Sequence, residues 1–205
     1  MKLLNFFTRI LFYLGWSEKL QSTPYIYQAG SGRIKNTWSD TLPWFTDPDC
    51  KNNGVTNYKL WPVPQYGVFT VRAKLEAGHK VHHPAVWMLY IDKFYEELDF
   101  ELQVSPSRHR LCLYIGSYIN HHDSQYHLEG GSLSPYLEQF YVRFCSRKLI
   151  DRLLNSFNDY TFLIEPSRVK WYINDRLIAV QKVSIQGPLY FVLSNVYTSL
   201  VTIKN

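Results

Sequence analysis

The chain has 205 residues, 46% of them apolar and 17% aromatic, which excludes a disordered polymer and is enough chain to bury a sizeable core. Lysine and arginine number 22 against 17 acidic residues, a net charge of +5, with the basic residues scattered and no run longer than Arg147-Lys148. That pattern excludes a nucleic-acid footprint, whereas 16 tyrosines and 6 tryptophans suit stacking on flat ligands such as sugar rings.

The amino terminus reads MKLLNFFTRILFYLGW. A lysine followed by an apolar run resembles the start of a secretory signal, but Arg9 interrupts the run and no Ala-x-Ala-like site follows. The run is too short to span a bilayer. Leu3, Leu4, Phe7, Ile10, Leu11 and Leu14 recur at helical spacing and predict a short amphipathic helix packed on the domain or on a partner. A degenerate signal and a membrane-surface anchor are the alternatives. Residues 1–22 are read as this segment and 23–205 as one domain, since there is no repeat and no low-complexity linker.

From about residue 25 onward strand signals dominate. Tyr66 to Leu75 alternates, Ala85 to Tyr90 is a short continuous apolar run, and Glu97 to Val104 alternates again. Leu111 to Tyr118, Asp159 to Glu165, Arg168 to Ile173, Leu177 to Val183 and Pro188 to Val196 are β-rich. Turn residues separate them, as at Ser105-Pro106-Ser107, Glu165-Pro166-Ser167 and Asn174-Asp175. Only Ser134 to Leu154 looks helical beyond the amino terminus. Many short strands with regular turns predict an all-β sandwich or barrel.

Cysteines Cys50, Cys112 and Cys145 are odd in number, so at least one is free or pairs between chains. The pairs His82-His83 and His121-His122 are poor chelates, because neighbours on a strand face opposite ways. No metal is expected from ligand spacing.

The most informative stretch is Tyr95-Glu96-Glu97-Leu98-Asp99-Phe100-Glu101-Leu102. With period two, Glu97, Asp99 and Glu101 share one face and Leu98, Phe100 and Leu102 the other. A solvated strand face is the plain reading. Like charges in a row repel, however, and acids are poor strand formers. Crowded carboxylates raise one another's pKa, so one can hold a proton near neutral pH while another stays ionised. Glycoside hydrolysis needs that division between an acid and a nucleophile. The backbone separation between Glu97 and Glu101 is about 13 Å. A retaining pair works at about 5–5.5 Å, so the side chains must lean together over a concave sheet.

Glu97-Leu98-Asp99-Phe100-Glu101 resembles the Glu-x-Asp-x-Glu signature of glycoside hydrolase family 16. Four further stretches are similar to that family, in its order. They are Tyr66 to Leu75, Pro84 to Leu89, Tyr160 to Asp175 with its Val169-Lys170-Trp171-Tyr172-Ile173-Asn174-Asp175 core, and Leu193 to Tyr197. Five collinear matches over about residues 55 to 197 are far more specific than any one motif. The resemblance implies a concanavalin A-like β-jelly-roll sandwich of two antiparallel sheets, to which the spacing of the first residues adds a short N-terminal helix. It implies a retaining double displacement, with Glu97 as nucleophile, Glu101 as general acid/base and Asp99 as the assisting carboxylate. Arg72, Asn195 and Tyr197 fall on cleft-lining positions, and Trp87 falls on an aromatic beside the catalytic strand. Core packing for Trp87 and an ion pair for Arg72 are the plain alternatives. Tyr95 and Tyr197 are candidate sugar-stacking surfaces.

The single residue between Asp99 and Glu101 resembles the form found in mixed-linkage glucan hydrolases and xyloglucan or chitin–glucan transglycosylases. That implies a β-1,3-1,4- or β-1,4-glucan as polysaccharide partner, no required cofactor, and an extracellular or surface location. A structural calcium, carried by some members, has no support in this sequence. The chain departs from the family at His83, Thr70 and Asp175-Arg176, and its last strand is not legible before Asn205. These departures favour a second reading, a polysaccharide-binding or structural module on the same fold.

Overall fold

The computed structural model describes residues 2–14, 16, 18–19, 27–29, 32–36, 57–58, 66–76, 84–91, 93–105, 107–122, 136–187 and 189–204, with backbone alone for 2–4, 27–29, 32–36, 57–58, 91 and 190–204. Along the chain run α1 (Lys2–Leu14), β1 (Tyr27–Ala29), β2 (Gly32–Asn36), β3 (Asn57–Tyr58), β4 (Gly67–Leu75), β5 (Ala85–Ile91), β6 (Tyr95–Ser105), β7 (Arg110–Asn120) and β8 (Glu138–Phe144). Then come α2 (Arg147–Asn155), β9 (Asn158–Glu165), β10 (Arg168–Ile173), β11 (Arg176–Gln181) and β12 (Tyr190–Lys204).

The strands form two antiparallel groups of four, β4-β9-β10-β11 and β5-β6-β7-β8. The long β12 joins them: Tyr190 to Ser194 pairs with β5, and Val196 to Lys204 pairs with β4. The short β1, β2 and β3 add to β12. Period two turns one apolar row of each strand inward. Phe69 and Val71 of β4, Leu98 and Phe100 of β6, Tyr160 and Phe162 of β9 and Trp171 of β10 meet in one buried cluster. Ring contacts stitch the two layers. Phe100 lies 5.3 Å from Tyr160 and 4.9 Å from Phe162, and Phe140 lies 5.9 Å from Trp171. This is the expected jelly-roll sandwich.

Two local expectations are corrected, and the structure sets the packing face of α1. Ser134 to Leu154 is not one helix: β8 occupies 138–144 and α2 begins only at Arg147. Val142 and Phe144 alternate into the core against β7, which favours a strand over a solvated helix. The last strand does not stop at Val196, because β4 offers its edge as far as Lys204. The apolar stripe of α1 is not its packing face. Phe7, Ile10, Leu11 and Leu14 are exposed, while Asn5 and Thr8 are buried and Phe12 packs against the core. The reason is chemical. β11 is a sheet edge with free backbone groups. Asn5 answers them, its Nδ2 donating to the Val180 carbonyl at 3.0 Å and its Oδ1 accepting from the Val180 N–H at 3.0 Å. Among the described residues no helix is long and apolar enough to cross a membrane.

Candidate active site

β6 sorts its acids by parity. Glu96, on the core side, is fully buried and accepts from the Gln186 and Gly187 backbone N–H groups at 2.7 and 2.8 Å. His121 Nε2 lies 2.7 Å from the same carboxylate, so Glu96 ties the segment before β12 to the first turn of β6. Its neighbour Glu97 emerges on the opposite face with Asp99 and Glu101. The two histidines of 121–122 diverge, and His122 stacks on Tyr136 at 4.5 Å. His82 and His83 lie outside the described residues.

The row extends beyond the three carboxylates. The Tyr95 hydroxyl donates to Glu97, and Gln103 Nε2 donates to Glu101. Glu97 and Asp99 are hydrogen-bonded to each other. Burial is the main force on both, since it penalises a charge taken out of water. Glu97 is pushed up to about 7; bonds from Tyr95 and Asp99 hold it down, and repulsion from Glu101 adds to the rise. Asp99 is pushed well above the carboxylate range by burial and by repulsion from Glu97 and Glu101. The physical picture is one proton held on Asp99 and donated toward Glu97. A protonated Asp99 and the Tyr95 hydroxyl then give the Glu97 carboxylate two O–H donors.

Register builds the walls. Asp99 sits between Trp87 of β5 and Gly116 of β7, Glu101 between Ala85 and Tyr114, and Glu97 between Leu89 and Tyr118. Paired residues in adjacent strands share a face, so the structure brings Trp87 beside the carboxylates. Continued onto β8, the three rows end on Gln139, Tyr141 and Arg143. Tyr114 and Tyr141 have ring centroids 6.2 Å apart, and Tyr141 is 62% exposed. Gly116 sits under this approach: a Cβ there would meet the Phe140 carbonyl oxygen at 2.7 Å.

The other expected residues fall elsewhere. Arg72 pairs with Asp159 at 3.3 Å across β4 and β9. Its strand neighbours Val71 and Ala73 point into the core, so it projects from the outer face of the layer opposite the carboxylates. Tyr95 is 4% exposed and cannot offer its ring to a sugar; it positions Glu97 instead. Asn195 and Tyr197 lie on β12, and their side chains are outside the described residues. Gln103, Tyr114, Tyr118, Tyr141 and Arg143 join the face without having been singled out. Alternation in Leu113-Tyr114-Ile115-Gly116-Ser117-Tyr118 was the signal for the tyrosines. Cys112, opposite Gln103, is disulfide-bonded to Cys145, and Cys50 is outside the described residues. Among the described residues no three His, Cys, Asp or Glu side chains are grouped to hold a metal ion.

No protein-family model matches the sequence, and no curated protein matches it. Solved structures do. A glycoside hydrolase family 16 endo-glucanase from Bacteroides ovatus, in complex with G4G3G-2F-DNP, is similar at TM-score 0.50 and 13% identity, covering 73% of this chain and 60% of that one. The catalytic domain of an endo-1,3-beta-glucanase (laminarinase) from Thermotoga petrophila RKU-1 is similar at 0.48 and 15%, covering 69% and 64%. A Crh5 transglycosylase in complex with NAG is similar at 0.47 and 15%, covering 68% and 63%. The chain thus spans less than two thirds of the length of each. At these identities the likeness is one of fold: the chain shares the β-sandwich of the Bacteroides ovatus glucanase, with Glu97, Asp99 and Glu101 of β6 on the sheet face away from the core.

Proposed function

We propose that the chain is a retaining endo-β-glycanase that hydrolyses or transglycosylates a β-linked polysaccharide, with a β-1,3-1,4- or β-1,4-glucan as its backbone. The observation that carries this is the hydrogen-bonded Glu97–Asp99 pair, Asp99 buried and Glu97 part-buried, on the sheet face away from the core and beside Glu101 and Trp87. Perturbed carboxylates in such a setting mark acid–base chemistry more often than structure. In the first step Glu97 attacks the anomeric carbon as Glu101 gives its proton to the departing glycosidic oxygen, and the C–O bond breaks. In the second step Glu101 takes a proton from water or an acceptor hydroxyl, which displaces the glycosyl ester. Asp99 keeps its proton and orients Glu97. The Cys112–Cys145 disulfide suits an extracellular or surface location.

The test is release of reducing ends from barley glucan, xyloglucan and laminarin, with Glu97→Gln as control. The reading requires activity on at least one β-glucan and a loss on the order of a thousandfold or more in Glu97→Gln. Binding without release by the wild-type chain would instead make it a polysaccharide-binding module.

A further inference from the structure

Four of the scattered basic residues meet at one cavity. A cavity of about 870 Å³ opens beside β8, and Arg9, Arg108, Arg110 and Arg143 all line it. They come from separate parts of the chain: α1, the β6–β7 hairpin and β8. Among the described residues no aspartate or glutamate lines the cavity. Among the described residues none of the four guanidinium groups makes an ion pair with a carboxylate. Arg143 is held by neutral acceptors, its Nη1 donating to Ser105 Oγ at 2.9 Å and Ser107 Oγ at 3.1 Å. Arg9 lies over the Phe144 ring at 5.2 Å. Four like charges lining one cavity, with no carboxylate among its described lining residues, repel one another, and an anion relieves that repulsion. Guanidinium forks match the oxygens of carboxylate and sulfate groups.

The cavity joins the candidate active site. Gln139, Tyr141 and Arg143 line it, and they end the three cross-strand rows that start at Glu97, Asp99 and Glu101. Two strand spacings separate β6 from β8, about 10 Å. A polymer lying across the strands from Asp99 along the row through Gly116 reaches the exposed ring of Tyr141 and enters among the arginines.

Resting on the glycanase reading, we propose that this cavity binds an acidic stretch of the polysaccharide, one that bears carboxylate or sulfate groups, and so refines the neutral glucan to an anionic one. The test uses the full chain carrying Glu97→Gln, so that binding is read without turnover. The probes are barley β-glucan, its carboxymethylated derivative and its sulfated derivative, which share one backbone. Affinity electrophoresis should show at least one charged derivative bound tenfold or more tighter than the parent, and the two arms separate carboxylate from sulfate. Arg108→Gln with Arg110→Gln should abolish that advantage. Lys93→Gln with Lys182→Gln, two exposed lysines outside the cavity, removes the same charge and should leave it intact.

Equal loss in both double variants would overturn the proposal in favour of general charge attraction. So would equal binding of all three polymers, or arginine-dependent binding of single-stranded DNA with none of the charged glucans. Cleavage of neutral barley glucan with no arginine-dependent binding overturns the cavity and leaves the glycanase reading standing. Arginine-dependent binding of a charged glucan with no cleavage of any polymer by the wild-type chain does the reverse.

Discussion

Glu97 carries two opposed demands. In the proposed mechanism the nucleophile has to be ionised, yet burial pushes this carboxyl up to about 7. On that reading activity should rise as pH rises through about 7, and a kcat/KM profile on a cleaved β-glucan should show that acid limb. The Tyr95 hydroxyl holds the Glu97 pKa down. Tyr95→Phe should move the limb to higher pH while leaving the fold melting as before. Stability runs the other way. The unfolded carboxyl ionises near its ordinary value, while the folded one keeps its proton up to about 7. Stability contributed by this group is full below the unfolded pKa and is lost as pH rises toward the folded one. Glu97→Gln should therefore raise the unfolding free energy at pH 8 by on the order of 2 kcal/mol, and make no such difference at pH 4. Thermal melts at the two pH values check the sign, and a solvated acid would show no gain at either.

At the level of elements, β6 was legible because its period of two is unbroken from Tyr95 to Gln103 and its two faces have different chemistry. Glu96 shows how sharp that period is: one residue from Glu97, it serves the opposite side of the sheet as a cap for the Gln186–Gly187 backbone. α1 was legible as a helix, but the face it turns to the domain was not, because a hydrophobic stripe says nothing about the free edge a helix meets. Its contact with β11 runs through the Asn5 amide. Asn5→Ala leaves a buried N–H and C=O of Val180 unanswered and should cost about 1–3 kcal/mol, read by urea denaturation. Gly116→Ala belongs to the same scale. A methyl at that position drives into the Phe140 carbonyl, so β8 must shift, and glucan affinity should fall more than stability does.

For the whole molecule, the two layers are held by aromatic contacts between strands far apart in sequence. Trp171 is fully buried and meets Phe140 across the sandwich. Trp171→Ala removes the largest side chain of that contact and should cost about 3–5 kcal/mol in chemical denaturation.

The sequence by itself determined the strands, their inward and outward faces and the acidic row, because a period of two is local and survives any arrangement of the sheet. The aromatic hairpin Tyr160 to Asp175 was equally plain, its Asn174-Asp175 turn having the left-handed backbone, φ 50° and 61°, that these residues tolerate. Only the tertiary structure decided which strands lie side by side. That placement sets Trp87 and Gly116 against Asp99, sends Arg72 to Asp159 on the other layer, and gathers four arginines from three places into one cavity. Pairing between strands depends on edges and register, and these are fixed by contacts that no stretch of a dozen residues contains.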